Sequence, residues 1–306
     1  MRGRSRLLML AIMLVSSVAC ATTSRLYNGE TSELVNVQDV VDQVAPGTVI
    51  ILSEQHGFAP HHANQRQFLD LLGAKNFTIS TGLEFFYYTD QSLVNDYMEG
   101  DLTEEAFLEE INWGSIPFSN YRYQARFPLA HDGFTLAINA PKEVTRQISS
   151  GGMDSLTEDQ RDLLPPNFTL GNDLYRERFE EAMGGHVPAE KVNDYFISQS
   201  LWDDTMAWRV SQFMAENPEH VFVVIVGDFH ASYFGGLPDR MTARGINDLL
   251  VISQVDARSA DEKEFDELVA PHSEYGVRAD FVWAVEPESR DISANTPAQQ
   301  ADTPLN

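Results

Sequence analysis

One cysteine, Cys20, is all that the 306 residues contain. The chain can therefore close no internal disulfide and offers no thiolate cluster to zinc. Basic residues are scarce as well: 21 Lys and Arg stand against 46 Asp and Glu, a formal net charge of -25. That balance excludes nucleic acid, or the anionic face of a bilayer, as the main partner, because both reward clustered Lys and Arg. The plain reading of the acidity is solubility. No apolar run is long enough to span a bilayer, which excludes a permease. No Gly-x-Ser-x-Gly elbow occurs, so a serine triad of the α/β-hydrolase kind has no foothold. No internal repeat is visible either, and the length suits one large domain.

What is present is a series of apolar runs that end in polar residues. Residues 47–52 read as a strand buried on both faces and lead to Glu54 and His56. Residues 77–83 lead to Glu84, residues 134–138 to Asn139, and residues 221–226 to Gly227, Asp228 and His230. A fifth strand is expected at 249–255 and a sixth, at an edge, at 280–285. Helical spacing fills the gaps at 37–44, 60–72, 90–97, 103–113 and 187–216, the last starting near Pro188 and ending before Pro218. Strands alternating with helices predict an α/β fold with a mostly parallel sheet flanked by helices. The expected domain is single, covering 37–285, with a helical insertion at 144–185. Residues 21–36 are polar and predict a tether with a small hairpin at Asn28-Gly29. Residues 286–306, rich in Pro, Ala, Gln, Asp and Ser, predict a disordered tail.

In open α/β sheets, ligands bind beyond the carboxyl ends of the strands. The four exits are therefore expected to form one site. Glu54, His56, Glu84 and His230 bring two carboxylates and two imidazoles, a ligand set for divalent Mn, Fe, Co or Zn, or else a general acid/base pair with an electrostatic partner. Taken singly, each is most simply a satisfied polar residue at a strand end. Together they are costly to bury without partners, because each unpaired charge costs several kcal/mol. Gln199, Asp203 and Met206 lie four and three apart on the long helix, so they share a face that points toward the site.

The amino terminus carries a positive segment with Arg2, Arg4 and Arg6, a short apolar stretch at 7–15, and small residues before Cys20. This 1–20 segment reads as a signal peptide, and Ser16-Ser17-Val18-Ala19-Cys20 resembles a bacterial lipobox, with Ser17 where an aliphatic residue is usual. Lipidation at Cys20 would anchor the chain to a membrane without spanning it. Plain secretion with cleavage near Ala19 or Ala21 is the competing reading. Ala21 resembles an outer-membrane sorting residue, so the expected location is the exported cell envelope.

Six blocks occur in a recognisable order: Ser53-Glu54-Gln55-His56, Glu84-Phe85-Phe86, Asn139-Ala140-Pro141-Lys142, Gln199 with Asp203 and Met206-Ala207, Gly227-Asp228-Phe229-His230, and Gly236-Leu237-Pro238. The series resembles that of the ChaN-like family of iron-regulated lipoproteins, within the haem-binding uptake, Tiki and erythromycin-esterase superfamily. It covers residues 26–283. The resemblance implies a cell-envelope haem-binding protein for iron acquisition, in which two subunits enclose haem and a tyrosine ligates the iron. It marks Glu54, His56, Glu84, Gln199, Asp203 and His230 as site residues. Two departures stand out, Ser53 where the family has Gly and Tyr87-Tyr88 where polar residues are usual. Tyr87 and Tyr88 become candidate phenolate ligands, against the equal reading that they pack under a loop. The alternative function is a metal-dependent hydrolase holding Mn, Co or Zn on Glu54, His56, Glu84 and His230.

Overall fold

The computed structural model describes residues 21–297. The expected signal peptide and Cys20, together with residues 298–306 of the expected tail, lie outside the described residues. An eight-stranded sheet runs in the order β2-β1-β8-β7-β3-β6-β4-β5. Its strands are β1 Thr22–Asn28, β2 Leu34–Val35, β3 Val49–Glu54, β4 Ile79–Tyr87, β5 Thr135–Asn139, β6 Val221–Gly227, β7 Leu249–Asp256 and β8 Phe281–Pro287. Pairing is parallel from β5 through β8 in the sheet order, and only β1 runs against the rest, pairing antiparallel with both β8 and β2. The chain is a single α/β domain with a mostly parallel sheet flanked by helices.

The central strands are continuous apolar runs because both faces are covered. On one face Ile50, Leu52, Val223 and Ile225 pack with Phe68 and Leu72 of the helix Ala59–Gly73. On the other Val49, Ile51, Val224 and Val226 pack with Met206, Ala207 and Val210 of the helix Val192–Glu216. Alternate side chains of one strand thus feed two cores, each fully buried Leu, Ile or Val contributing about 1.5–3 kcal/mol. At the β5 edge, the Gln91 amide donates to the Thr135 carbonyl (3.0 Å) and accepts from the Ala137 N–H (2.7 Å). One side chain there does the work of a neighbouring strand and blunts the edge.

Three expectations need correction. The stretch read as a tether is β1, which pairs with β8 along its whole length and buries Leu26 and Tyr27. β8 is therefore an interior strand, not an edge. The tail does not begin at residue 286 either. Glu286 is buried inside β8, where it accepts from the Tyr27 hydroxyl at 2.6 Å and pairs with Arg25 at 3.1 Å and Arg290 at 3.0 Å. The following turn is also fixed, with Asn295 Nδ2 donating to the Ser32 carbonyl at 2.8 Å. Polar composition suggested loose chain at both ends, and one buried carboxylate held by two guanidinium groups supplies what composition lacks.

Candidate functional site

The carboxyl ends of β3, β4, β5 and β6 reach the same rim of the sheet. Glu54 pairs in register with Gly227, and Leu83 with Ile225, so Glu84 emerges beside the end of β6. The β4–β5 register is irregular between Leu83 and Tyr87. Such bulges re-aim side chains next to sites. Gly227 is required here, since a Cβ would lie 2.9 Å from His56 Nε2 and 3.4 Å from Glu84 Oε2. Its N–H instead donates to Glu84 Oε2 at 2.5 Å.

Acids and imidazoles alternate across the rim. His56 Nδ1 lies 3.0 Å from Glu54 and its Nε2 3.4 Å from Glu84. His230 Nε2 approaches the same Glu84 oxygen at 3.8 Å, while its Nδ1 contacts Asp203 at 2.6 Å. Asp203 in turn accepts from the Tyr175 hydroxyl at 2.7 Å, and Gln199 Nε2 lies 3.1 Å from His230 Nδ1. Behind β3, Glu54 also accepts from Tyr121 at 2.5 Å and Gln65 at 2.9 Å, with His62 Nε2 3.1 Å away. The structure therefore joins Glu54, His56, Glu84, His230, Asp203 and Gln199 into one network. Among the described residues, however, no three His, Asp or Glu side chains group so as to hold a metal ion. The reason is geometric: both nitrogens of His56 face carboxylates, and both oxygens of Glu54 are taken by donors. These groups neutralise one another rather than converging on a common point.

The charges follow from those contacts. Burial opposes ionisation of Glu54, yet hydrogen bonds from His56, His62 and Tyr121 hold it down to about 2. Burial likewise favours a neutral His56, but Glu54 and Glu84 raise it to about 10. Glu84 is lowered against burial by His230 and His56, and His230 is raised against burial by Asp203 and Glu84. A pH dependence follows. His56, raised from 6.5 to about 10, adds stability that is fully present below 6.5 and is lost as pH climbs toward 10. Glu54, lowered from 4.5 to about 2, adds stability present above 4.5 and lost as pH falls toward 2. The difference in thermal midpoint between the wild type and His56→Gln should therefore be largest near pH 5–6 and shrink steadily by pH 10. A difference that grows with alkalinity would contradict the pairing.

Beside this network opens a cleft of about 690 Å³ between the rim and the helical insertion. That is within the roughly 300–1,000 Å³ of cofactor sites. Glu84 and Gln199 are at its polar side, and Phe85, Tyr87, Trp113, Tyr195 and Trp202 are among its aromatic walls. Glu54, Asp203 and His230 back the cleft without lining it. Tyr88 is directed elsewhere: its hydroxyl donates to the Leu163 carbonyl at 2.9 Å and its ring meets Trp208 edge-on. Of the two adjacent phenols, only Tyr87 belongs to the cleft. Sequence reasoning missed Trp113, Tyr195, Lys142 and Arg146 as lining residues, and Tyr121 and Gln65 as donors to Glu54. Gln65 carried a usable signal, a polar residue on the buried face of the first helix after the Glu54 exit.

The fold is similar to that of a solved structure described as cofacial haem binding to ChaN of Campylobacter jejuni, with 14% identity, a TM-score of 0.63, and coverage of 86% of this chain and 96% of that one. An erythromycin esterase mutant in its open conformation is similar at 12% identity and a TM-score of 0.51, over 87% of this chain and 97% of that one. At such identities these likenesses establish the fold alone. No curated protein matches the sequence. A family model described as haem-binding uptake, Tiki superfamily, ChaN matches residues 40–241, two thirds of the chain. The chain belongs to that ChaN family of haem-binding uptake proteins.

Proposed function

We propose that this protein is a haem-binding lipoprotein of the bacterial cell envelope, anchored through Cys20, that serves haem and iron acquisition. One observation carries the haem reading. Eight of the 10 tyrosines hydrogen-bond through their hydroxyls to other protein groups, namely Tyr27, Tyr88, Tyr97, Tyr121, Tyr123, Tyr175, Tyr233 and Tyr275. The two that find no protein partner among the described residues, Tyr87 and Tyr195, both line the cleft. A half-buried phenol is normally satisfied, so the free hydroxyl of Tyr87, with the exposed hydroxyl of Tyr195 on the same aromatic cleft, suits a ligand that takes oxygen donors.

The donor set fits haem. Phe85, Trp113 and Trp202 offer flat apolar walls for a macrocycle. Ferric haem would supply a Lewis-acidic iron suited to hard oxygen donors, which the phenols of Tyr87 and Tyr195 would offer. Burial raises the Tyr87 hydroxyl above its ordinary value, and Arg146 pulls it back, so Tyr87 stays protonated until a ligand displaces that proton. The paired acids and imidazoles fix Glu84 and Gln199 at the cleft wall. A second copy closing over the cleft belongs to the same reading, supported by the exposure of Tyr195 on the cleft and of Leu170 and Leu174 on the insertion. The metal-hydrolase alternative finds no specific observation in its favour.

Titration of the purified protein with hemin tests the proposal. A saturable Soret shift is expected. Only the unshifted spectrum of free hemin, at every protein concentration, would refute it.

A further inference from the structure

Apart from the cleft, a surface groove of about 740 Å³ lies beside the end of the helix Ala59–Gly73, and no residue lines both. Three guanidinium groups line it, Arg66 from that helix and Arg122 and Arg126 from the short helix Arg122–Arg126. Arg122 is tied to Glu104 at 2.5 Å, and the groove's own acid, Asp70, accepts from the Tyr123 hydroxyl. Arg66 and Arg126 are different. Both are exposed, and among the described residues neither has a carboxylate within 4.0 Å. Rings hold them instead: Arg66 lies 5.6 Å from the centre of Tyr123, and Arg126 lies 5.2 Å from that of Tyr97. A ring beneath a cation fixes its place and takes none of its N–H donors. In a chain with 46 acidic residues against 21 basic ones, two guanidinium groups positioned in this way leave room for an anion.

Two further features point to a ligand. A second hollow, of about 470 Å³, continues from the groove through the shared residues Arg66 and Asp70 and is lined by His62. His62 is 3% exposed, its Nε2 lies 3.1 Å from Glu54, and its Nδ1 has no hydrogen-bond partner among the described residues. A buried polar nitrogen left in that state is costly unless a bound group satisfies it. The groove also has a flat wall. Phe127 and His131 stack with ring centres 4.3 Å apart, and His131 is seated over Gly73, where a Cβ would lie 2.6 Å from its Cε1.

We infer that the groove is a second binding site, for a soluble phosphate monoester with a flat organic body. Arg66 and Arg126 take the phosphate, the Phe127 and His131 wall takes the body, and a polar substituent reaches His62 along the second hollow. A monoester carries about two negative charges at neutral pH, which matches two free guanidinium groups; a diester carries one. Each guanidinium grips phosphate oxygens through paired N–H donors. The site stands apart from the haem-binding reading and needs nothing from it.

Calorimetric titration of the full chain with phenyl phosphate, beside the singly charged diester methyl phenyl phosphate, tests the site. The wild type should bind the monoester saturably and the diester about fivefold or more weakly. Arg66→Gln/Arg126→Gln should lose about tenfold or more in affinity for the monoester. Arg161→Gln/Lys263→Gln removes the same charge at exposed positions outside the groove and should bind as the wild type does. Arg66→Lys/Arg126→Lys, which keeps the charge and removes the fork, should fall between. No saturable heat from the wild type, equal affinity for both esters, or equal losses in the two Gln variants would each overturn the site. Binding to phosphatidic acid vesicles without binding of phenyl phosphate would make the groove a lipid contact and overturn the soluble ligand.

Discussion

Glu54→Ala should destabilise the protein by about 3–5 kcal/mol, a large share of the roughly 5–15 kcal/mol that holds a domain folded. The Glu54 side chain is 0% exposed. Its removal leaves the Tyr121 hydroxyl and the Gln65 amide without their acceptor, and takes the nearest acid from His62 and His56. Tyr121 and Gln65 are fully buried, so water cannot replace what they lose. Each stranded donor costs about 1–3 kcal/mol. Glu54→Gln, which keeps the volume and one acceptor oxygen, should cost less than the alanine. Urea unfolding midpoints measure both. A loss below about 1 kcal/mol for the alanine would mean that the buried network contributes little to the fold.

How far the residues foretold this arrangement depended on the kind of information each part needed. The strand exits were readable because a parallel strand covered on both faces must be an unbroken apolar run, and 47–52 and 221–226 are such runs. Because Glu54 and Gly227 end adjacent strands, their proximity follows from the sheet itself. β1 was not readable in this way. Thr22–Asn28 lies near the sheet margin with most of its residues part-covered, so its pattern is as polar as a loop. Tyr87 and Tyr88 looked equivalent as neighbours, but β4 ends at Tyr87 and a tight 3-10 turn begins at Tyr88, which sends the second ring to Trp208. Spacing also could not tell whether four acids and imidazoles face a common point or face one another. They do the latter, which is why the metal set dissolves into pairs. Trp113 and Tyr195 come from segments far apart in the chain and meet across the cleft through tertiary packing alone.

The second large effect concerns iron. Tyr87→Phe/Tyr195→Phe keeps both rings on the cleft walls and deletes the two hydroxyl oxygens that no protein group engages. Packing is therefore preserved, and only oxygen donation is lost. Hemin should bind the double variant roughly 10- to 100-fold more weakly, while iron-free protoporphyrin IX binds as it does to the wild type. Each single variant keeps one phenol, so the smaller loss identifies the residue that does not reach the iron.

The most direct measurement is the absorption spectrum of the ferric hemin complex of that double variant, recorded beside the wild type at saturating protein. The wild type should show a shifted Soret band with a phenolate-to-iron charge-transfer band, and the variant should lose the charge-transfer band. Identical spectra from the two proteins, with the charge-transfer band present in both, would place the iron away from these phenols and contradict the assignment of the cleft.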